Sequence, residues 1–463
     1  PASITGADGL PPSKGTALRR KRWRIFAPGS TGSLLCSLLI ESDKPMEKRA
    51  VTAVVLGASG RGKLYGDYAL EHPEDLKIVG IAELVDLRRT MYGDKYGVPV
   101  ENRVATWQQM LDRPKFADAV IIATPDHLHY EPCMRALDLG YDILLEKPIA
   151  QTFDECRRLV AHARDKKKIV CLTHVLRYSP YFLKLKEMID TKRIGDLVSI
   201  QHFEPVDHIH MSHSYVRGSW HDSVKSTPLV LAKSSHDLDI LYWMIGKPCR
   251  RIAAFGGLKH FKSENAPKGS TERCTDGCAA EATCPFSALK IYYRDRTWLY
   301  VFDLPEEEPE RGEAILRYLR TTDYGRCVYR CSNDQPDHYV TSMEFEGGVT
   351  VNFSIEAFTS YMGRRTRIMG TRGDIVGDME SFTLTDFATG EKTVYDANAI
   401  DAENYKGAGH GGGDAGMIRD WIEAVRRQDA TIMSTPLDDS LESHAIAFAA
   451  ERSRKEGRIV ELE

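Results

Sequence analysis

The sequence predicts a doubly wound α/β domain leading into a second domain with a broad antiparallel sheet. Three features predict it. Apolar strands alternate with helical stretches of ~10–15 residues between Val51 and Leu145, as in a parallel sheet with crossover helices. A glycine-rich turn follows the first strand directly. From Val340 onward short alternating strands run as a meander, with Gly347-Gly348 marking a hairpin.

Residues 1–45 stand apart. They are rich in Gly, Ser, Pro and Arg, with RRKRWR at 19–24 ahead of a mild apolar run, Leu34 to Ile40. We expect a disordered extension or tag ahead of a natural start at Met46, set aside from the fold. A secretory or twin-arginine signal is the alternative, although Pro28-Gly29 interrupts the approach to the apolar run.

The 463 residues are 42% hydrophobic with a net charge of −4, enough for two domains with substantial cores. No basic excess points to nucleic acid, and no run of ~18 apolar residues points to a membrane span. Ten cysteines occur, at 36, 133, 156, 171, 249, 274, 278, 284, 327 and 331. The first five are scattered and the last five fall closer together; the composition suits a reducing compartment, so a cytoplasmic location is expected.

The first strand, Val51 to Leu56, runs into Gly57, Ala58, Ser59, Gly60, Arg61 and Gly62, then a helix from Lys63. Glycines let the backbone turn tightly and leave room for a pyrophosphate at the helix N-terminus. There, free N–H groups and the helix dipole favour an anion. Ser59 stands where the fingerprint has its middle glycine. The second strand, Leu76 to Ala82, ends at Glu83, 21 residues after Gly62, where an acid would meet the adenosine ribose hydroxyls. Glu83 argues for NAD. Arg88, just beyond, could accept a 2′-phosphate and keeps NADP open.

Asp118 to Thr124 is the third strong strand, followed by Pro125, Asp126, His127, Leu128 and His129. A helix then closes at Gly140, a C-cap position. Tyr141 to Leu145 is a short strand that runs into Glu146, Lys147 and Pro148. Ligands of such sheets sit at the carboxyl ends of the strands. Gly57–Gly62, Glu83, Thr124–His129 and Glu146–Pro148 all fall there, which argues for a nucleotide site. Lys147 at a strand end, stiffened by proline, suits proton exchange once burial lowers its pKa.

The segments GASGRG (57–62), ATPDHLHY (123–130) and LLEKPIA (144–150) resemble the Gfo/Idh/MocA oxidoreductases, relatives of glucose-fructose oxidoreductase and inositol dehydrogenase. The resemblance covers roughly residues 48–460. It implies a Rossmann NAD(P)-binding domain over 46–172. It also implies an α+β substrate-binding and oligomerisation domain over 173–463, with a large, mostly antiparallel open sheet and last helices packing back. Lys147 would contact the nicotinamide ribose and the substrate. Thr124, Pro125 and His129 would line the cofactor.

Further along, Phe153 to Lys167 reads as an amphipathic helix and Ile169 to Val175 as a strand leading to Arg177 and Tyr178. In the resembling family that strand heads toward the active site, so both are substrate-side candidates. Four histidines fall in 207–221, after His202. Their spacing fixes no metal geometry, and a substrate-lining loop with His213, Arg217 and Trp220 is the preferred reading. Leu229 to Gly246 reads as one amphipathic helix carrying His236, Asp237 and Asp239. The resemblance places a catalytic His at His236 within a D-x-x-x-H pattern, but Ala232 stands at the Asp position, so Lys233 or Asp237 would take over that role. Lys233, Asp237 and Asp239 are expected to orient substrate hydroxyls.

Cys274, Cys278 and Cys284, with Cys327 and Cys331, offer thiolates for Zn in a spacing unlike knuckle or ferredoxin runs. A metal cluster, reduced structural thiols and a redox pair are the alternatives, and no metal is assigned. Residues 259–290 and 303–312 read as polar surface loops. His410, in the glycine run 407–414, is either a loop residue reaching the active site, as the matching region of the resembling family does, or part of a simple linker. The expected activity is NAD(P)-dependent oxidation of a sugar, cyclitol or related polyol, with Lys147 and His236 in proton transfer and a homo-oligomer, dimer or tetramer. Competing readings are redox-assisted cleavage of a glycosidic bond and a non-catalytic sugar sensor.

Overall fold

The computed structural model describes residues 49–400 and 410–462. The expected extension at 1–45 and the start of the glycine run at 407–409 lie outside the described residues. Six strands form the first sheet: β1 (Val51–Leu56), β2 (Leu76–Ala82), β3 (Arg103–Val104), β4 (Ala119–Ile122), β5 (Asp142–Leu145) and β6 (Val170–Leu172). Their order is β3-β2-β1-β4-β5-β6, and every pairing is parallel. β4 and β5 are buried along their whole length, because helices cover both faces of a doubly wound sheet. The order reverses beside β1, and the crevice outside the strand ends there is the usual ligand position.

Nine strands form the second sheet: β7 (Leu197–Pro205), β8 (Cys249–Gly257), β9 (His338–Phe345), β10 (Thr350–Glu356), β11 (Arg365–Gly370), β12 (Gly373–Gly377), β13 (Ser381–Asp386), β14 (Lys392–Asp396) and β15 (Val460–Glu461). All pairings are antiparallel except β7 with β10. β9 alternates buried and open residues, so one face packs inward and the other stays open. Ile200, Ile252, Met343, Val351 and Phe353 fill the inward face beneath Leu238 and Leu241.

Three differences from the sequence reading bear on the site. Leu229–Ala232 and Ser235–Ile245 are two helices, interrupted at Lys233-Ser234. The strand after the helix Phe153–Lys166 ends at Leu172, and Val175–Tyr178 is a 3₁₀ turn packed against the helix Gly413–Arg427. The segment between β8 and β9 is more than surface loops. Ala288, Ile291, Tyr292, Phe302, Ile315 and Leu319 form a small core of their own there, and Glu310–Thr321 is helical. Of the late helices, Gly413–Arg427 sends Met417, Ile418 and Trp421 into the core of the first sheet, and Leu437–Glu456 packs on β8.

Candidate active site

A cleft of about 660 Å³ opens over the carboxyl ends of β1, β4, β5 and β6. The first sheet contributes Ser59, Gly60, Arg61, Thr124, Pro125, Asp126, His127, Glu146, Lys147 and Thr173. The opposite wall carries His210, Tyr215, Trp220, Lys233, His236, Tyr300, Arg364 and His410.

The glycine turn is shaped for close approach. Gly57 has φ +85, and a Cβ there would meet the Ala123 carbonyl oxygen at 2.6 Å. A Cβ on Gly62 would meet the Gly57 carbonyl at 1.9 Å. The helix Arg61–Glu71 begins at Gly60 without a side-chain cap, so no side chain claims its first N–H groups. Glu83 is 7% exposed at the end of β2 and accepts the Ala58 N–H at 2.9 Å and the Val85 N–H at 3.0 Å. The turn, the bare helix end and the acid together fit a dinucleotide. Arg88, expected as a possible 2′-phosphate partner, instead pairs with Asp303 at 2.7 Å.

A charged network runs under the cleft floor. Arg61 donates from Nε to Glu146 at 2.6 Å and pairs with Asp414 at 2.6 Å. Glu146 also accepts from the Tyr65 hydroxyl and from Thr173 Oγ1 at 3.0 Å. Asp414 holds His410 Nδ1 at 2.9 Å. Burial pushes the Asp414 carboxyl up, but the His410 hydrogen bond and Arg61 outweigh it and keep it below the ordinary range.

Lys147 donates from Nζ to the Ala232 carbonyl and lies 5.7 Å from the centre of the Trp220 ring. That carbonyl ends the short helix before the Lys233-Ser234 break, so the interruption supplies the acceptor. Burial lowers the Lys147 pKa, opposed by Asp126 and Glu146.

His236 is 7% exposed and its buried Nδ1 has no hydrogen-bond partner. Its ring lies 5.4 Å from His410 and 5.9 Å from His174. Burial, then His410, Lys147, His174 and Arg364, push its pKa well below the ordinary value. No carboxylate pairs with it among the described residues, consistent with Ala232 at the Asp position. His210 is lowered in the same way by burial and by Lys233.

Of the expected substrate residues, Trp220, Lys233 and His410 line the cleft. Lys233 pairs with Glu204 at 3.2 Å. Arg177, Tyr178, Asp237 and Asp239 do not line it. Arg177 is fully buried, holds Asp239 through Nε at 2.7 Å, and pairs with Asp439 at 2.8 Å. The Tyr178 hydroxyl accepts the Ser434 N–H at 3.0 Å and meets Thr435. Asp237 sits behind the wall against His202 at 3.0 Å and holds Arg364, which does reach the cleft. Polar partners far along the chain saturate these groups.

His129, expected beside the cofactor, is buried between the Pro148 carbonyl at 2.6 Å and the Thr124 carbonyl at 2.8 Å. It clamps the two loops that line the cleft. His213 stands against the Tyr292 hydroxyl at 2.8 Å, away from the cleft, and Arg217 points into the cysteine-lined region. Sequence reasoning missed Asp126, Tyr300, Arg364 and Asp414 as site residues. Asp126 lay inside the DHLH stretch; it accepts from Thr227 Oγ1 at 2.6 Å and Trp220 Nε1 at 3.2 Å. The other three carried no local signal.

Residues 51–174 match the family described as "Oxidoreductase family, NAD-binding Rossmann fold" (GFO_IDH_MocA), and residues 186–462 match its "C-terminal alpha/beta domain". The chain belongs to the Gfo/Idh/MocA family. YteT of Bacillus subtilis is 27% identical over 325 residues, 67% of this chain and 74% of YteT. Inositol 2-dehydrogenase 1 of Saccharopolyspora erythraea is 29% identical over 136 residues, 29% of this chain and 37% of that protein. An inositol dehydrogenase homologue from Azotobacter vinelandii, solved with NAD+, shares the fold at TM-score 0.64 and 14% identity over 89% of this chain and 98% of its own. This Gfo/Idh/MocA protein is thus an oxidoreductase with an NAD-binding Rossmann domain. No described helix is long and apolar enough to cross a membrane.

Proposed function

We propose that this protein oxidises a CH–OH group of a sugar, cyclitol or related polyol, using NAD in preference to NADP. The observation that carries the proposal is the convergence of Lys147, His236 and the uncapped glycine turn on one cleft. Gly57, Ser59, Gly60, Arg61 and Gly62 would hold the pyrophosphate, and Glu83 the adenosine ribose. Glu83 repels a 2′-phosphate, and Arg88 is already engaged by Asp303. When bound, NAD supplies the hydride acceptor.

The chain's own task is placement and proton handling. His236, kept neutral by its surroundings, accepts the proton of the reacting hydroxyl. The Lys147 ammonium, held by the Ala232 carbonyl, stabilises the negative charge that develops on the same oxygen. Trp220 offers a face for a sugar ring, and Lys233, Arg364 and His410 offer donors to its other hydroxyls. The inositol 2-dehydrogenase relative supports a polyol substrate.

A panel of sugars and cyclitols supplied with NAD or NADP, followed for cofactor reduction and for bond cleavage together, tests the reading. Net NADH formation with a polyol supports it. Cleavage without net reduction favours the redox-assisted lyase reading. The absence of both with every compound overturns it.

A further inference from the structure

The segment between β8 and β9 brings a second set of chemistry-bearing residues together, away from the cleft described above. Cys274, Cys278, Cys284 and Cys327 line one small cavity of about 20 Å³, with Arg217 and Phe286 in its wall. All four are free thiols. Backbone pairing sets the juxtaposition. Arg273 and Arg326 form a β-bridge, Cys274 N–H donates to the Gly325 carbonyl at 3.0 Å, and Cys327 N–H donates to the Glu272 carbonyl at 2.9 Å. Cys274 and Cys327, 53 residues apart in sequence, are thus brought to one cavity.

Two observations point to an anionic centre at this place. The first is that Cys274 Sγ receives the Ala288 N–H at 3.4 Å and the Arg217 guanidinium at 3.9 Å. An N–H and a guanidinium thus converge on one sulfur, a donor pattern that an anionic centre would strengthen. The second is Arg217 itself. It is 3% exposed, Nε and Nη2 reach only the Arg326 and Phe286 carbonyls besides that sulfur, and Nη1 is buried without a partner. No carboxylate pairs with it among the described residues. A guanidinium buried without an anion is costly.

We propose that Cys274, Cys278, Cys284 and Cys327 bind one zinc ion as a structural Cys₄ site, with Arg217 as its counter-charge. Four thiols lose four protons to the solvent and give their sulfur lone pairs to Zn²⁺. The resulting centre carries two negative charges, which Arg217 partly offsets. The cavity has about the room of one water-sized sphere, suited to a single ion and too small for an iron–sulfur cluster. As the side chains stand, no described group of three or more His, Cys, Asp or Glu is in a metal-holding arrangement. Metal binding therefore requires the cysteine side chains to move from where they stand. Cys331 stays outside the set, with its sulfur turned to the Cys327 carbonyl at 3.4 Å.

The site has a consequence for the cleft. Arg217 ends the segment Met211–Arg217, whose Ser214 and Tyr215 line the cleft, and Tyr300 and Asp303 come from the same cysteine-bearing segment. This segment has a core too small to be rigid alone, the situation in which metals serve as staples.

The test is elemental analysis of the full chain, purified under reductant without chelator and supplied with zinc. About one zinc per chain is expected, released when a mercurial titrates the thiols. Cys278→Ser and Cys284→Ser lower the content at least about tenfold, whereas Cys331→Ser retains it. Less than about a tenth of an equivalent in the wild-type chain overturns the proposal. So does iron with visible absorption, a disulfide mapped among the four cysteines, or loss of zinc in Cys331→Ser. The wild-type measurement decides even where a serine variant fails to fold.

Discussion

His236 and Asp239 lie on one short helix, one turn apart, and meet opposite surroundings. His236 lines the cleft, its Nδ1 has no partner, and Lys147 and Arg364 are among the groups that keep its pKa low. Asp239 is fully buried and doubly held, by Arg177 at 2.6 Å and by His174 at 3.0 Å. The difference teaches that burial and polarity do not identify a site residue in this fold. Saturation does: a buried polar group with its bonds complete is a strut, and one left incomplete beside a cleft is available for chemistry.

The largest effect that would sharpen this contrast comes from Lys147, the cleft partner of His236. Lys147→Ala should lower kcat by ~10²- to 10⁴-fold while the thermal unfolding midpoint stays close to wild type. A variant with full turnover on every substrate would remove Lys147 from the chemistry. On the saturated side, Arg177→Met should cost about 3–5 kcal/mol in denaturant unfolding, because Asp239 is left buried with His174 alone to hold it. The rate per folded molecule should stay near wild type, and a selective loss of rate would return Arg177 to the site.

The same contrast appears in pH dependence. Burial raises the Asp239 carboxyl, but Arg177 and His174 outweigh it and hold it at about 2. Its folded value lies below the ordinary 3.8, so its stabilisation is present above that pH and is lost as pH falls toward 2. Acid unfolding of wild type against Asp239→Asn measures it. His236, pushed below 6.5, should stay neutral and active through that pH, with the acid limb of kcat/KM lower still. The alkaline limb should come below 10.5, where Lys147 loses its proton. An acid limb above 6.5 would contradict the assignment of His236. A smaller effect is expected at Glu83. Glu83→Ser should raise kcat/KM with NADP relative to NAD by roughly tenfold, one charge contact of about 1.4 kcal/mol.

How much of this was legible in the sequence follows from how local each signal is. The turn at Gly57–Gly62, Glu83 and the Glu146-Lys147-Pro148 strand end are set by residues next to one another, so the first sheet and the cofactor side of the cleft could be read directly. Arg177, Tyr178 and Asp239 could not. Arg177 and Tyr178 are held by Ser434, Thr435 and Asp439, more than 250 residues away in sequence, and Asp239 by Arg177 and His174, more than 60 away. The helix through Lys233 looked continuous because its apolar spacing is, yet the chain breaks there and frees the Ala232 carbonyl for Lys147. Asp414 and Arg364 are single charged residues in ordinary contexts, and only folding brings them to the cleft. The cysteines were visible, but a β-bridge between distant segments was needed to place Cys327 beside Cys274.

The most direct test of the account mixes NAD-loaded protein with an excess of the best polyol substrate and records the first turnover, comparing wild type with His236→Gln. Calorimetry on the same samples measures NAD binding. The account predicts unchanged NAD affinity with formation of NADH slowed by roughly 10²-fold. A first turnover as fast as wild type, or loss of NAD binding with the substitution, would contradict it.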